Sequence, residues 1–177
     1  GLDTAEDKLD TNTKLAGLFT SEPYRVAQTA WLEDALRQPE IASAPYLVAF
    51  CHIPLFDSNP KSNPGDLYPN DVHPDYHSDY AAWQRTCSKM WSPLLNKAKC
   101  QLVVTAHEHI YRYDAPDADR KWAQIVGGGP SMKGTPGVFP TVVEGKVEDG
   151  QLLVRVHNIY SGKVEAEYTF KPRKKRS

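Results

Sequence analysis

What this sequence has little of narrows the field first. It holds only three cysteines, Cys51, Cys87 and Cys100. An odd set at spacings that match no zinc or redox motif allows at most one intrachain disulfide, so cysteine supplies neither a disulfide framework nor a metal knuckle. No apolar run approaches the roughly 20 residues of a membrane span. Charge of one sign is also missing: the formal net charge is −1, which gives no global field for nucleic acid or a membrane surface. The only basic run is Lys171 to Arg176, and it reads as a solvated terminus. No internal repeat or low-complexity stretch occurs. Gly127-Gly128-Gly129-Pro130 lacks the Gly-x-x-x-x-Gly-Lys-Ser/Thr spacing of a phosphate cradle and reads as a close-packed turn near a site rim. Met is absent from the first position, and the expectation is that processing or truncation removed what preceded Gly1, with any targeting segment. The compartment stays open, with a lean toward export.

What is present suits one domain. There are 177 residues, 40% apolar and 24% charged, enough for a single core. Gly1 to Thr4 reads as the end of a strand. Arg25 to Gln38 predicts an amphipathic helix with Val26, Ala27, Ala30, Trp31, Ala35 and Leu36 inward, stopped by Pro39. Tyr46 to Cys51 predicts a strand covered on both faces. Asp57 to His77, rich in Pro, Asn, Asp and Ser, reads as a long functional or mobile loop. Ser78 can cap a helix to about Trp91, with Trp83, Cys87, Met90 and Trp91 on one face. Ser92-Pro93 reads as a fresh helix start. Gln101 to Thr105 predicts a second buried strand, which completes a βαβ rhythm. Five further strands follow at 110–113, 122–126, 141–147, 152–160 and 164–170. Turns at Asp149-Gly150 and Ser161-Gly162 make this half largely antiparallel.

Both buried strands run into histidine, as Cys51-His52-Ile53-Pro54 and as Ala106-His107-Glu108-His109. In a sheet built from βαβ units the carboxyl ends of parallel strands share the ligand-binding edge. His52, His107 and His109 are therefore expected to converge there, and neutral imidazoles suit transition metals. A single histidine at a strand end is more often a hydrogen-bonded structural residue. Two such motifs in this order favour ligation. Glu108 reads equally as a partner to the ligating imidazoles or as a solvent-facing carboxylate. His73 and His77 stand in the long loop, at the rim of a cleft or in solvent. Tyr111 and Tyr113 lie on a strand leaving the site, and Tyr111 is a candidate for the substrate rim. His157 reads as structural.

The chain resembles the calcineurin-like metallophosphoesterases, with the purple acid phosphatase-like branch nearest. The resemblance rests on His52 in Cys-His-Ile-Pro, on Trp91-Ser92-Pro93-Leu94-Leu95, and on the short strand leading to His107-Glu108-His109-Ile110-Tyr111. Leu2-Asp3-Thr4 and Gln28-Thr29-Ala30-Trp31-Leu32 fit the segment before those motifs. It spans roughly Gly1 to Gly129, and the β-rich remainder fits less specifically.

The resemblance implies an α/β (α+β) fold, part of a four-layer α/β/β/α sandwich. Residues 1–129 would be the metal-site half, 130–170 the second sheet and 171–177 a basic tail. It also implies two iron, manganese or zinc ions roughly 3.5–4 Å apart. His52 and His107 would sit on one ion and His109 on the other, and a bridging hydroxide would attack a small phosphoester.

Two departures stand out. Ala106 replaces the usual Gly before His107, and the family's first three motifs, with their carboxylates, are absent from this sequence. The expectation is that this chain alone is inactive, binds metal weakly or not at all, and self-associates through an uncovered edge. Two competing readings are a non-catalytic binding module on the same scaffold and a single-metal protein that uses the three histidines together.

Overall fold

A computed structural model describes residues 1–4, 18, 20–56, 74–129 and 138–174, with the backbone alone for 74–85. The elements run α1 (Glu22–Ala35), α2 (Pro39–Ser43), β1 (Val48–Phe50), α3 (Pro74–Lys97), β2 (Leu102–Thr105), β3 (Arg112–Asp114), β4 (Ala123–Val126), β5 (Thr141–Glu148), β6 (Gln151–Asn158) and β7 (Val164–Phe170). Four strands form one sheet in the order β1-β2-β4-β3, and three form a second in the order β5-β6-β7. The chain is thus mixed α/β with two sheets.

The first sheet carries the βαβ rhythm. β1 and β2 are parallel, with Phe50 opposite Val104, and β2 and β4 are parallel, with Thr105 opposite Val126. β3 lies antiparallel on the outer side of β4. β2 and β4 are central and almost wholly buried, as their Val, Ile and Ala content requires. β1 departs from expectation. It is an edge strand of three residues, and Phe50 is 55% exposed. Beyond it Leu2 N–H donates to the Phe50 carbonyl at 2.7 Å, so Gly1 to Thr4 does run along this edge.

Helices cover one face of this sheet. Leu32 of α1 and Cys87, Trp91 and Leu95 of α3 pack with Val103 and Trp122. The other face meets the second sheet, where Leu102, Ala123 and Ile125 oppose Leu152, Val154 and Val156. The described residues therefore stack as helix, sheet and sheet. Along β6, burial alternates so that Leu152, Val154 and Val156 face in, the period of two expected of a half-covered antiparallel strand. The outward face carries an ion pair, Arg155 to Glu167 at 2.8 Å, and a polar contact of His157 Nε2 with Glu144 at 2.9 Å. His157 is thus a surface structural residue. The β5–β6 hairpin closes through Asp149 (φ 49°) and Gly150 (φ 70°), the two positive φ values that a tight turn between right-twisted strands needs.

Three helix expectations are corrected. α1 starts at Glu22, and its buried residues are Arg25 and Leu32, while Val26 and Trp31 are 56% and 53% exposed. The Trp91 indole N–H donates to Thr29 Oγ1 at 2.9 Å, which sets the face turned inward. Pro39 opens α2 rather than only ending α1. α3 runs unbroken past Pro93. Cys87, Trp91 and Leu95, four residues apart, are all fully buried, and that continuous stripe outweighs the one hydrogen bond that proline removes. The Trp83 side chain lies outside the described residues.

The basic run is also corrected at Arg173. Its guanidinium donates to the carbonyls of Ile41, Ala44 and Ala98, and its own N–H reaches the Pro45 carbonyl at 2.7 Å. These carbonyls lie at the C-terminal ends of α2 and α3, where helices leave acceptors unpaired.

Candidate metal centre

Three parallel strands deliver their carboxyl ends to one edge. His52 follows β1 by two residues, His107 and His109 follow β2, and Gly127 to Gly129 follow β4. Ala106 N–H donates to the His52 carbonyl at 2.9 Å, which joins the first two turns directly. His52 Nε2 then faces His107 Nδ1 at 3.1 Å, with the rings edge to face and their centroids 5.0 Å apart.

Two nitrogens at this spacing fit either an N–H···N hydrogen bond or a pair of donors to one cation. With metal–nitrogen bonds of about 2.0–2.1 Å, the pair would subtend roughly 100° at the ion, between octahedral and tetrahedral angles. The fit extends to two residues. Among the described residues no group of three His, Cys, Asp or Glu side chains stands close enough to hold an ion. His109 therefore does not join His52 and His107 in a three-ligand cluster.

His107 and His109 both hold left-handed backbone, at φ 60° and 58°. This region is uncommon for any L-residue other than Asn, Asp and His, and it turns successive side chains sharply. Glu108 N–H closes a tight turn around His107 by donating to the Ala106 carbonyl at 2.7 Å. Glu108 itself is 6% exposed and ion-paired to Arg112, so the solvent-facing reading falls.

The glycines explain their own identity. A Cβ on Gly128 would stand 2.0 Å from the Phe139 carbonyl oxygen. A Cβ on Gly129 would stand 2.6 Å from the His109 ring. This stretch is a close-packed rim, and its last residue forms the floor under His109.

Sequence reasoning missed a buried polar group beneath the turns. Gln124, fully buried on β4, accepts from the Leu55 and Phe56 N–H groups at 2.8 and 3.3 Å and donates to the Phe56 carbonyl at 2.7 Å. Arg112 donates from Nη2 to the same carbonyl at 2.8 Å and from Nε to both Asp114 oxygens at 3.1 and 3.0 Å. Arg120 lies over the Phe56 ring at 4.2 Å, and burial depresses its pKa. One sequence signal was available: Gln124 interrupts the apolar strand Ala123–Val126, and buried polar groups are nearly always partnered.

The other candidates have partners of their own. Tyr111 gives its hydroxyl to a 2.5 Å contact with the Tyr168 hydroxyl, and Tyr113 stacks on Tyr168 with centroids 4.0 Å apart. Both tyrosines thus meet the second sheet. Burial and the Tyr111 contact drive the Tyr168 pKa upward. His73 lies outside the described residues, as does the side chain of His77, whose backbone is in α3.

No family model and no curated protein matches the chain. Solved structures do. GAP50, titled the anchor in the inner membrane complex of Plasmodium, superposes over 90% of this chain and 47% of its own, at TM-score 0.52 and 15% identity. That likeness shows a shared fold, and this chain spans about half the length of that one. Partial overlaps occur with a predicted phosphoesterase from Streptococcus pneumoniae, over 48% of this chain and 47% of that one at 11% identity and TM-score 0.33. A Vps29 mutant from Entamoeba histolytica overlaps 47% of each chain at 13% identity and TM-score 0.32. No described helix is long and apolar enough to cross a membrane.

Proposed function

We propose that these residues form part of the catalytic domain of a metal-dependent phosphoesterase. The observation that carries this reading is the facing of His52 Nε2 and His107 Nδ1 at 3.1 Å, at the carboxyl ends of adjacent parallel strands. His52 and His107 would hold one transition ion, and His109 would contribute to a second. Ions bound there would supply Lewis acidity toward a phosphoryl oxygen and toward water. This chain's own contribution is narrower: it orients imidazole nitrogens on strained turns and keeps Gly128 and Gly129 without side chains, so that backbone and His109 stay close. The family's carboxylate motifs that would complete a two-metal site are absent from this sequence, so these residues alone are expected to be inactive. Two ions of iron, manganese or zinc and a small phosphoester are the proposed cofactors and substrate.

A second reading is a scaffold that binds a partner without chemistry. The likeness to a protein titled an anchor favours it. Hydrolysis of a chromogenic phosphoester, with manganese, zinc or iron added, decides between them. It should be measured on these 177 residues, on the full-length natural protein, and on that protein carrying His107→Ala. Activity in the unsubstituted full-length protein alone supports the enzyme. Its inactivity with every metal gives first place to the partner-binding scaffold.

A further inference from the structure

We propose that Arg112 and Gln124 are positioning residues: through Glu108 and the Phe56 carbonyl, they hold the His52 and His107 imidazoles face to face. The inference rests on reading those histidines as a ligand pair, and its test separates the two claims.

The backbone after β2 has one local hold, the Glu108 N–H bond to the Ala106 carbonyl. Residues 107 and 109 both occupy left-handed backbone, which histidine adopts more readily than most L-residues and which side-chain anchoring keeps in place. Glu108 lies between them, and its buried carboxylate is fixed by Arg112 Nη1. Releasing that carboxylate frees the turn to relax toward ordinary φ, and both flanking side chains turn with it.

The turn after β1 is anchored to the same group. Leu55 N–H and Phe56 N–H end on Gln124 Oε1, and the Phe56 carbonyl takes both Gln124 Nε2 and Arg112 Nη2. Asp114 closes the ring, accepting from Arg112 Nε and, at 2.8 Å, from Gln124 Nε2. Asp114 is 3% exposed and Gln124 is fully buried, so losing either arm leaves buried polar atoms without partners.

Arg112 therefore serves as a clamp between two turns rather than as an anion receptor. Its Nε, Nη1 and Nη2 each already hold a partner: Asp114, Glu108 and the Phe56 carbonyl respectively. A lysine ammonium offers no such planar fork.

The test uses the chain with ¹⁵N-labelled histidine and cobalt(II) as the metal probe. In the metal-free chain, ring ¹⁵N spectra report the tautomers of His52 and His107, and a nuclear Overhauser contact reports their facing. Arg112→Met and Gln124→Met are each expected to stay folded by circular dichroism, to lose the ring contact, and to bind cobalt(II) ten- to a hundredfold more weakly, the range for partners that orient ligands. Arg112→Lys is expected to recover little of either. A folded variant that keeps the wild-type ring contact overturns the proposal. If neither Met variant folds, the group holds the whole domain rather than the site, and the proposal also falls. A wild-type chain that shows the ring contact but does not bind cobalt(II) removes the ligand reading and leaves the positioning claim standing. Cobalt(II) binding that both folded Met variants retain removes the positioning claim alone.

Discussion

Cys51, Cys87 and Cys100 are all buried free thiols. Burial pushes Cys51 and Cys87 up to about 12 and Cys100 up to about 11, against a usual thiol near 8.5. In the native chain all three should resist a thiol reagent near pH 8 and react only on unfolding, since the thiolate is the nucleophile. The linkage runs in one direction. Below the unfolded thiol's pKa both states keep their protons and the stabilisation is complete. Between that value and the folded values the unfolded chain releases protons that the native chain retains, so stability falls as pH rises. The urea midpoint should therefore drop across roughly pH 8.5 to 11, and a flat midpoint would contradict the burial. At Gly129 the added methyl of Gly129→Ala meets the His109 ring. It should cost about 1–3 kcal/mol in chemical denaturation and shift the His109 ring resonances. Unchanged resonances would mean that the rim is looser than described. The histidines were legible as residues in the sequence. Arg112 and Gln124 were not, because their roles depend on Phe56, 56 and 68 residues away in sequence.

Elements followed local chemistry where partners were local. The Asp149-Gly150 hairpin and the alternation along β6 were readable because turn chemistry and pleat act over a few residues. The inward face of α1 was not. Its apolar residues Val26 and Trp31 lie outward, and Arg25 and Leu32 lie inward. Periodicity marks an apolar stripe without saying what covers it. The C-terminal strap behaves likewise: a basic run looks solvated until helix C-termini offer it carbonyls. Arg173→Met removes its charged donors from Ile41, Ala44 and Ala98 and should lower stability by about 1.5–3 kcal/mol. Urea unfolding measures this, and a change within error would show the strap to be incidental.

At the scale of the molecule, the exposed stripe of α1 lies beside the N-terminal segment that runs along the β1 edge. Tyr24, Ala27, Gln28 and Trp31 line an open groove of about 600 Å³ with Gly1, Leu2 and Asp3. Phe50 at the sheet edge is also exposed. Exposed strand edges and contiguous apolar surface favour association. Light scattering should show concentration-dependent assembly of this chain, reduced by Trp31→Glu or Phe50→Lys. A strictly monomeric chain at high concentration would remove this expectation.

By itself the sequence determined the α/β class, the two-part division into βαβ and antiparallel halves, and the placing of His52 and His107 just after strands. Each of these follows from short-range periodicity, turn residues and strand ends. Only the tertiary structure decided that these two imidazoles meet at 3.1 Å while, among the described residues, His109 joins no three-residue cluster, and that Glu108 is buried. It also decided that α1 turns its aromatic stripe outward. Those outcomes depend on strand register, on left-handed turns and on which surface lies opposite. They are long-range quantities, and no local pattern encodes them.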